Sequence, residues 1–217
     1  MMKRLAIALF LLAIAQPLAA HPHIFVDTGL DLRFDQEGRL TEVKITWAYD
    51  EFYSLLIMED RELDPDFDGI LTSEEKANLT GFDMQWTPGF NGDLVVMQGD
   101  RMLALSGPQE ATAIYEDARI TTTHVRQIDP EQVVGERIEI RPYDPTYYTA
   151  YDITLPVRIE GADICGQRIE VPDLDANMMM VREQLNALDA DASIDELNMP
   201  DIGILLASTV VVTCDIS

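Results

Sequence analysis

Over most of this chain apolar residues recur at every second position, a period that a sheet can use and a helical bundle cannot. "HIFVDTGLDLRFD" alternates and is rich in β-branched and aromatic residues. "EGRL" turns the chain and "TEVKITWAYD" alternates again, so Ile24 to Trp47 reads as a β-hairpin. From Gly92 the period returns. "DLVVMQGDRMLALSG" carries Gly-Asp at a hairpin turn, "TAIYED" and "ARITTTHVRQI" read as another pair, and "GERIEIRPYD" and "AYDITLPVRI" follow. "ASTVVVTCDIS" supplies a closing strand with Val210, Val212 and Cys214 on one face. Strands with one wet and one dry side must stack their dry sides, so the expected class is mainly β (α+β), an antiparallel β-sandwich.

Two segments break the pattern. "DEFYSLLIMEDREL" places Phe52, Leu55, Leu56 and Glu59 at helical spacing, with Asp50 available as N-cap. "TSEEKANLTGFDMQW" reads as a second helix opened by a capping box, Thr72 with Glu75 three residues later. Near the C-terminus, "DANMMMVREQLNALD" spaces Met178, Val181, Leu185 and Leu188 along one face of a further helix. The expectation is a single sandwich domain over 21–217 with a helix–loop–helix inserted at about 50–85 and a helix near its end.

Between the inserted helices lies "DPDFDGILTSEE", Asp64 to Glu75. Calcium takes six to eight hard oxygen ligands, which a short loop can supply only by wrapping around the ion. Asp64, Asp66 and Asp68 stand at loop positions one, three and five, Gly69 permits the sharp turn at six, and Ile70 offers its carbonyl at seven. Thr72 at nine can hold a bridging water and Glu75 at twelve brings a bidentate carboxylate. The loop resembles the EF-hand family across itself and its flanking helices. An acidic surface turn that matches by accident is the bland alternative. Of the other acidic stretches, "DLDANMMMVREQ" has Met178 where Gly is needed, and "DADASIDELNMP" ends on Pro200. The loop is therefore solitary.

The first residues read as a leader. Lys3 and Arg4 precede the apolar run Leu5 to Ala15, too short to span a bilayer comfortably, and "QPLAA" ends in small residues. A signal peptide over 1–20, cleaved after Ala20, would open the mature chain on "HPHIFVD"; a retained anchor is the competing reading. The expected location is the periplasm, with no stable membrane insertion after cleavage. A formal net charge of −24 repels nucleic acid and anionic lipid and favours cations. In an oxidising compartment the two cysteines, Cys165 and Cys214, are most economically read as one disulfide; a thiol metal site is the alternative.

Of the three histidines, His21 and His23 share a strand face with Phe25 and Asp27. Two imidazoles and a new α-amino group would suit a borderline metal such as zinc, nickel or copper. Pro22 removes the amide proton that the amino-terminal square-planar copper/nickel motif needs. His124, on a later strand, would complete the site if that strand lies alongside. A solvated N-terminus that happens to begin with His is the competing reading. Tyr143, Tyr147, Tyr148 and Tyr151 read as a turn whose rings cap the core rather than a ligand platform. Met178, Met179 and Met180 are consecutive and cannot share one helical face, which favours a core helix over a copper site.

"HPHIFVD" after a leader, "TWAYDEFYS", the acidic loop, "RPYDPTYYTAYD", the late Cys165 and the final "VVVTC" together resemble the domain of unknown function 1007 family of exported bacterial proteins. The resemblance spans nearly the whole mature chain. It implies a periplasmic component of an uncharacterised ABC-type transport system, in a genetic context of nickel/cobalt-type metal transporters. No nucleophile elbow, zinc-protease helix, phosphate loop or Cys–His pair is present, so no catalysis is expected. The expected function is a calcium-binding accessory protein for transition-metal transport, with metal ions and a membrane metal transporter as partners. The alternative is a purely structural or adhesive calcium-stabilised β module.

Overall fold

The computed structural model describes residues 22–132, 137–186 and 201–214; the leader, its cleavage site, His21 and Leu188 lie outside them. The first hairpin pairs β1 (Ile24–Phe34) with β2 (Leu40–Tyr49) antiparallel, Leu30 level with Ile45. Helix α1 (Glu51–Asp60) leaves β2 directly, capped by the Asp50 carboxylate, which accepts from the amide of Tyr53 at 2.8 Å. The same carboxylate takes the Phe25 amide at 2.8 Å, so the cap also ties the helix start to β1. Helix α2 (Ser73–Leu79) follows the acidic loop and is shorter than the alternation-free stretch implied. Thr80 returns to extended backbone and Gly81 takes φ 77°, a left-handed conformation that suits glycine and stops the helix.

Strands β3 (Leu94–Gln98) and β4 (Arg101–Met102) form the Gly-Asp hairpin. The pair β5 (Gln109–Glu116) and β6 (Arg119–Gln127) is antiparallel, as its pattern implied. Then come β7 (Arg137–Pro142), β8 (Thr149–Asp152), β9 (Val157–Glu160) and β10 (Cys165–Glu170). Helices α3 (Leu174–Asn186) and α4 (Gly203–Leu206) precede the last strand, β11 (Thr209–Cys214). One sheet runs β5-β6-β2-β1-β8 with β9 also on β1, and the other runs β10-β11-β7-β3-β4. The protein is a two-sheet, mainly β structure and neither sheet closes into a barrel.

Two details differ from a plain antiparallel meander. "AYDITLPVRI" is two short strands, and both β8 and β9 lie parallel to β1. The Ile153–Pro156 interruption lies over Gly29, where a Cβ would come within 2.9 Å of Leu155. Between the sheets, Val26, Leu30, Leu32, Val43 and Ile45 face Leu94, Val96, Ile138, Ile140, Val210 and Val212, all buried. Val211 is buried as well, so β11 is dry on both faces. Cys165 and Cys214 stand opposite each other on β10 and β11 and are joined by a disulfide. In α3, Val181 is buried while Met178, Met179 and Met180 are exposed.

Candidate calcium site and the placement of the histidines

The acidic loop is wound up by its own side chains. Both carboxylate oxygens of Asp64 accept backbone amides across the loop, those of Asp68 and Gly69, each at 3.0 Å. Asp68 accepts the Ile70 amide at 2.7 Å. Gly69 takes φ 75° with open space where a Cβ would stand, so the requirement for glycine there is the backbone angle. Phe67 also has positive φ, 57°, and donates its amide to the carbonyl of Asp64, which closes the first turn. The result is that oxygens of Asp64, Asp66 and Asp68 all lie within 4.8 Å of one another. Hard, anionic oxygens converging at that spacing fit a calcium ion and fit a soft metal poorly.

Glu75 closes the loop from the far end. Its carboxylate accepts the Asp64 amide at 3.1 Å and both the amide and hydroxyl of Thr72 at 2.7 Å, while Thr72 in return takes the Glu75 amide. The reciprocal bonds make a complete capping box on α2. The Thr72 hydroxyl, then the Thr72 and Asp64 amides, hold the Glu75 carboxyl below its usual range, so it is ionised. Its bond to the amide of the first loop residue brings the twelfth position back to the first. Of the other two expected ligands, Ile70 gives its amide to Asp68, and the Thr72 hydroxyl is engaged with Glu75 in the capping box. Beneath the loop, Leu63, Leu71 and Leu79 are buried and anchor it to the sandwich.

The two described histidines, His23 and His124, do not assemble. His23 is exposed at the edge of the fold, its amide bonded to the Tyr148 carbonyl at 2.8 Å and its ring 4.8 Å from that of Tyr148. His124 pairs with Ile45, which pairs with Leu30, seven residues along β1 from His23. At the usual rise per residue that separation is about 23 Å along the strands alone. The two side chains also leave opposite faces, because His23 is an odd-numbered neighbour of outward Asp27 whereas His124 aligns with inward Leu30. The expectation that His124 completes a site with His23 is therefore corrected: strand register puts His124 inside the sandwich. His21, the remaining member of that set, is outside the described residues.

What His124 joins is a buried polar layer that sequence reasoning did not anticipate. It is fully buried, edge-on to Trp47 at 4.7 Å and to Trp86 at 5.7 Å, and neither ring nitrogen has a hydrogen-bond partner among the described residues. Burial, and secondarily the Arg126 charge, push its pKa down to about 3, so it is a neutral imidazole. Nearby, Asp83 accepts the hydroxyls of Thr122 at 2.7 Å and Tyr49 at 2.9 Å. Burial raises its pKa above the ordinary carboxylate value against those bonds. Asp93 accepts the Tyr151 hydroxyl at 2.9 Å, and burial raises its pKa to about 7. Arg126 stacks on Trp86 at 4.7 Å and donates to the Asn91 carbonyl at 2.9 Å.

The chain is thus a two-sheet, mainly β protein with an acidic loop clamped between two short helices. The family model described as "Protein of unknown function (DUF1007)" matches residues 6–214, and the chain belongs to that family. A comparison with curated proteins finds no match. The Cys165–Cys214 disulfide is of the kind oxidising compartments sustain, and among the described residues no helix is long and apolar enough to cross a membrane.

Proposed function

We propose that this protein is an exported calcium-binding accessory module, acting in the periplasm by binding rather than by catalysis. The convergence of Asp64, Asp66 and Asp68, with Glu75 drawn back onto the Asp64 amide, is the observation that carries the reading. Calcium would be resident and structural: it would relieve the repulsion among these carboxylates and lock the loop against the sandwich. The family resemblance supports a role beside transition-metal transport, with a membrane metal transporter as partner. Within this chain that role rests on His21 and His23, since His124 is committed to the core.

Calorimetry separates the two readings. Calcium is titrated first, then zinc, nickel and copper, into the chain beginning at His21 and into one extended by a residue before it. The accessory role requires a transition-metal site that weakens with the extension and with His23→Ala, while calcium binding is unchanged. Equal transition-metal affinity in all forms leaves the purely structural calcium module; heat-silent calcium titrations remove both.

A further inference from the structure

Helix α1 packs one face on the sandwich and leaves an apolar stripe exposed on the other. Ser54 and Met58 are buried, Ser54 accepting the Ile120 amide at 2.9 Å from β6. On the other side Phe52, Leu55 and Leu56 are 67%, 51% and 43% exposed. They stand at the i, i+3, i+4 spacing of a single stripe. An apolar helix normally hides all its apolar faces, and a contiguous patch left outside marks an interaction surface. Next to the stripe the chain forms a groove of about 280 Å³, whose apolar lining includes Leu55, Met58, Leu63, Phe67 and Tyr115. Phe67, 88% exposed, projects from the acidic loop between Asp66 and Asp68.

The rim of this groove is acidic. Glu59 and Glu62 line it, Asp60 lies between them in sequence, and none of the three joins a salt bridge among the described residues. Arg61 is the nearest basic residue in sequence, and it is occupied elsewhere: it donates to the Asn78 carbonyl at 3.1 Å and stacks on Phe82 at 5.6 Å. A wall of unpaired carboxylates around an apolar floor is complementary to a helix with basic flanks and an apolar stripe, the helix-in-groove mode of peptide recognition. It is repelled by a second copy of itself, since that would face acid with acid, and by anionic lipid.

We infer that the α1–Phe67–Tyr115 groove is the docking site for a cationic amphipathic helix of a partner protein. The groove lies between α1, the loop and β5, and the inference does not require the loop to hold calcium.

The probe is a synthetic helical peptide of leucine and lysine with leucines at i, i+3, i+4 and i+7, labelled for fluorescence anisotropy. Its controls are a scrambled peptide of the same composition and a version with glutamate for lysine. Binding is measured to the protein in excess calcium and again with chelator, and zwitterionic and anionic vesicles are tested alongside. The docking site requires at least tenfold tighter binding of the amphipathic peptide than of either control. It also requires a tenfold loss in Leu55→Glu and in Phe67→Ser, whose exposed positions leave folding intact. Equal binding of the scrambled peptide would show charge attraction alone and overturn the proposal, as would unchanged affinity in both variants. Vesicle binding that the two substitutions abolish, or a dimer in sedimentation that they dissolve, would replace the partner helix with a membrane or a second copy. Peptide binding indifferent to chelator, together with silent calcium calorimetry, sinks the calcium reading and leaves the docking site standing.

Discussion

Replacing His124 with leucine removes two buried ring nitrogens at little change in volume, and its effect depends on pH in a calculable way. In the native protein the imidazole titrates at about 3; in the unfolded chain it returns to about 6.5. A base whose native pKa is depressed is neutral when folded and takes up a proton on unfolding. Its contribution to stability is thus intact above pH 6.5 and is lost as pH falls from 6.5 toward 3. At pH 5 the unfolded chain lies roughly 1.5 units below its own pKa while the native imidazole is still neutral, which at 1.36 kcal/mol per unit is a loss of about 2 kcal/mol. The other charge acting on the ring is Arg126, which is cationic throughout this window. Urea unfolding of wild type and His124→Leu at pH 7.5, 6 and 5 measures it. The stability of wild type relative to the variant should fall by about 2 kcal/mol between pH 7.5 and pH 5. Parallel curves would mean that His124 takes its proton equally well in the folded protein.

Asp93 should show the opposite sign: its native pKa of about 7 lies above the unfolded 3.8, so stability is lost as pH rises through that interval. Asp93→Asn should therefore gain on wild type from pH 4 to pH 8 in the same urea assay, by an amount on the order of a few kcal/mol. The disulfide spans a sequence separation of 49, for which loop closure predicts stabilisation of about 4 kcal/mol. The double substitution Cys165→Ser, Cys214→Ser should lower unfolding free energy by up to that amount, and peptide mapping without reductant should recover the two cysteines linked. Gly203→Ala should destabilise strongly in thermal melts, since its Cβ would fall 1.8 Å from the Asp144 carbonyl oxygen.

Period and turn chemistry made much of this fold readable. Alternation found the first hairpin, and Gly99-Asp100 found the β3–β4 turn. Thr72 and Glu75 announced the start of α2 because both halves of a capping box are local in sequence. Pairings that depend on distant partners were not legible. Nothing in "AYDITLPVRI" says that its two pieces run parallel to β1, since parallel neighbours come from anywhere in the chain. The same limit governed the histidines. Alternation places His124 on a strand face, but only the register of β6 on β2 shows that this is the dry one. For α1, helical spacing revealed the stripe Phe52–Leu55–Leu56 without saying which face the sandwich would take. The face that packs carries Ser54 and Met58, and a small hydroxyl that finds its partner on β6 gives no apolar signal in sequence.

If the Asp64–Glu75 loop binds calcium, the ion should stabilise the whole fold. The direct measurement is the thermal midpoint of wild type and Glu75→Gln, each with calcium and with chelator. Glutamine keeps the hydrogen bonds of a capping box but gives up the charge, so the variant retains its α2 cap. Calcium at a hundred times its dissociation constant adds about 2.7 kcal/mol, which for a chain of this size is a rise of roughly 5–10 °C. The wild-type midpoint should climb by that amount on adding calcium, and the Glu75→Gln midpoint should stay where the chelator leaves it. A wild-type midpoint that calcium does not move would mean that the folded loop holds no calcium.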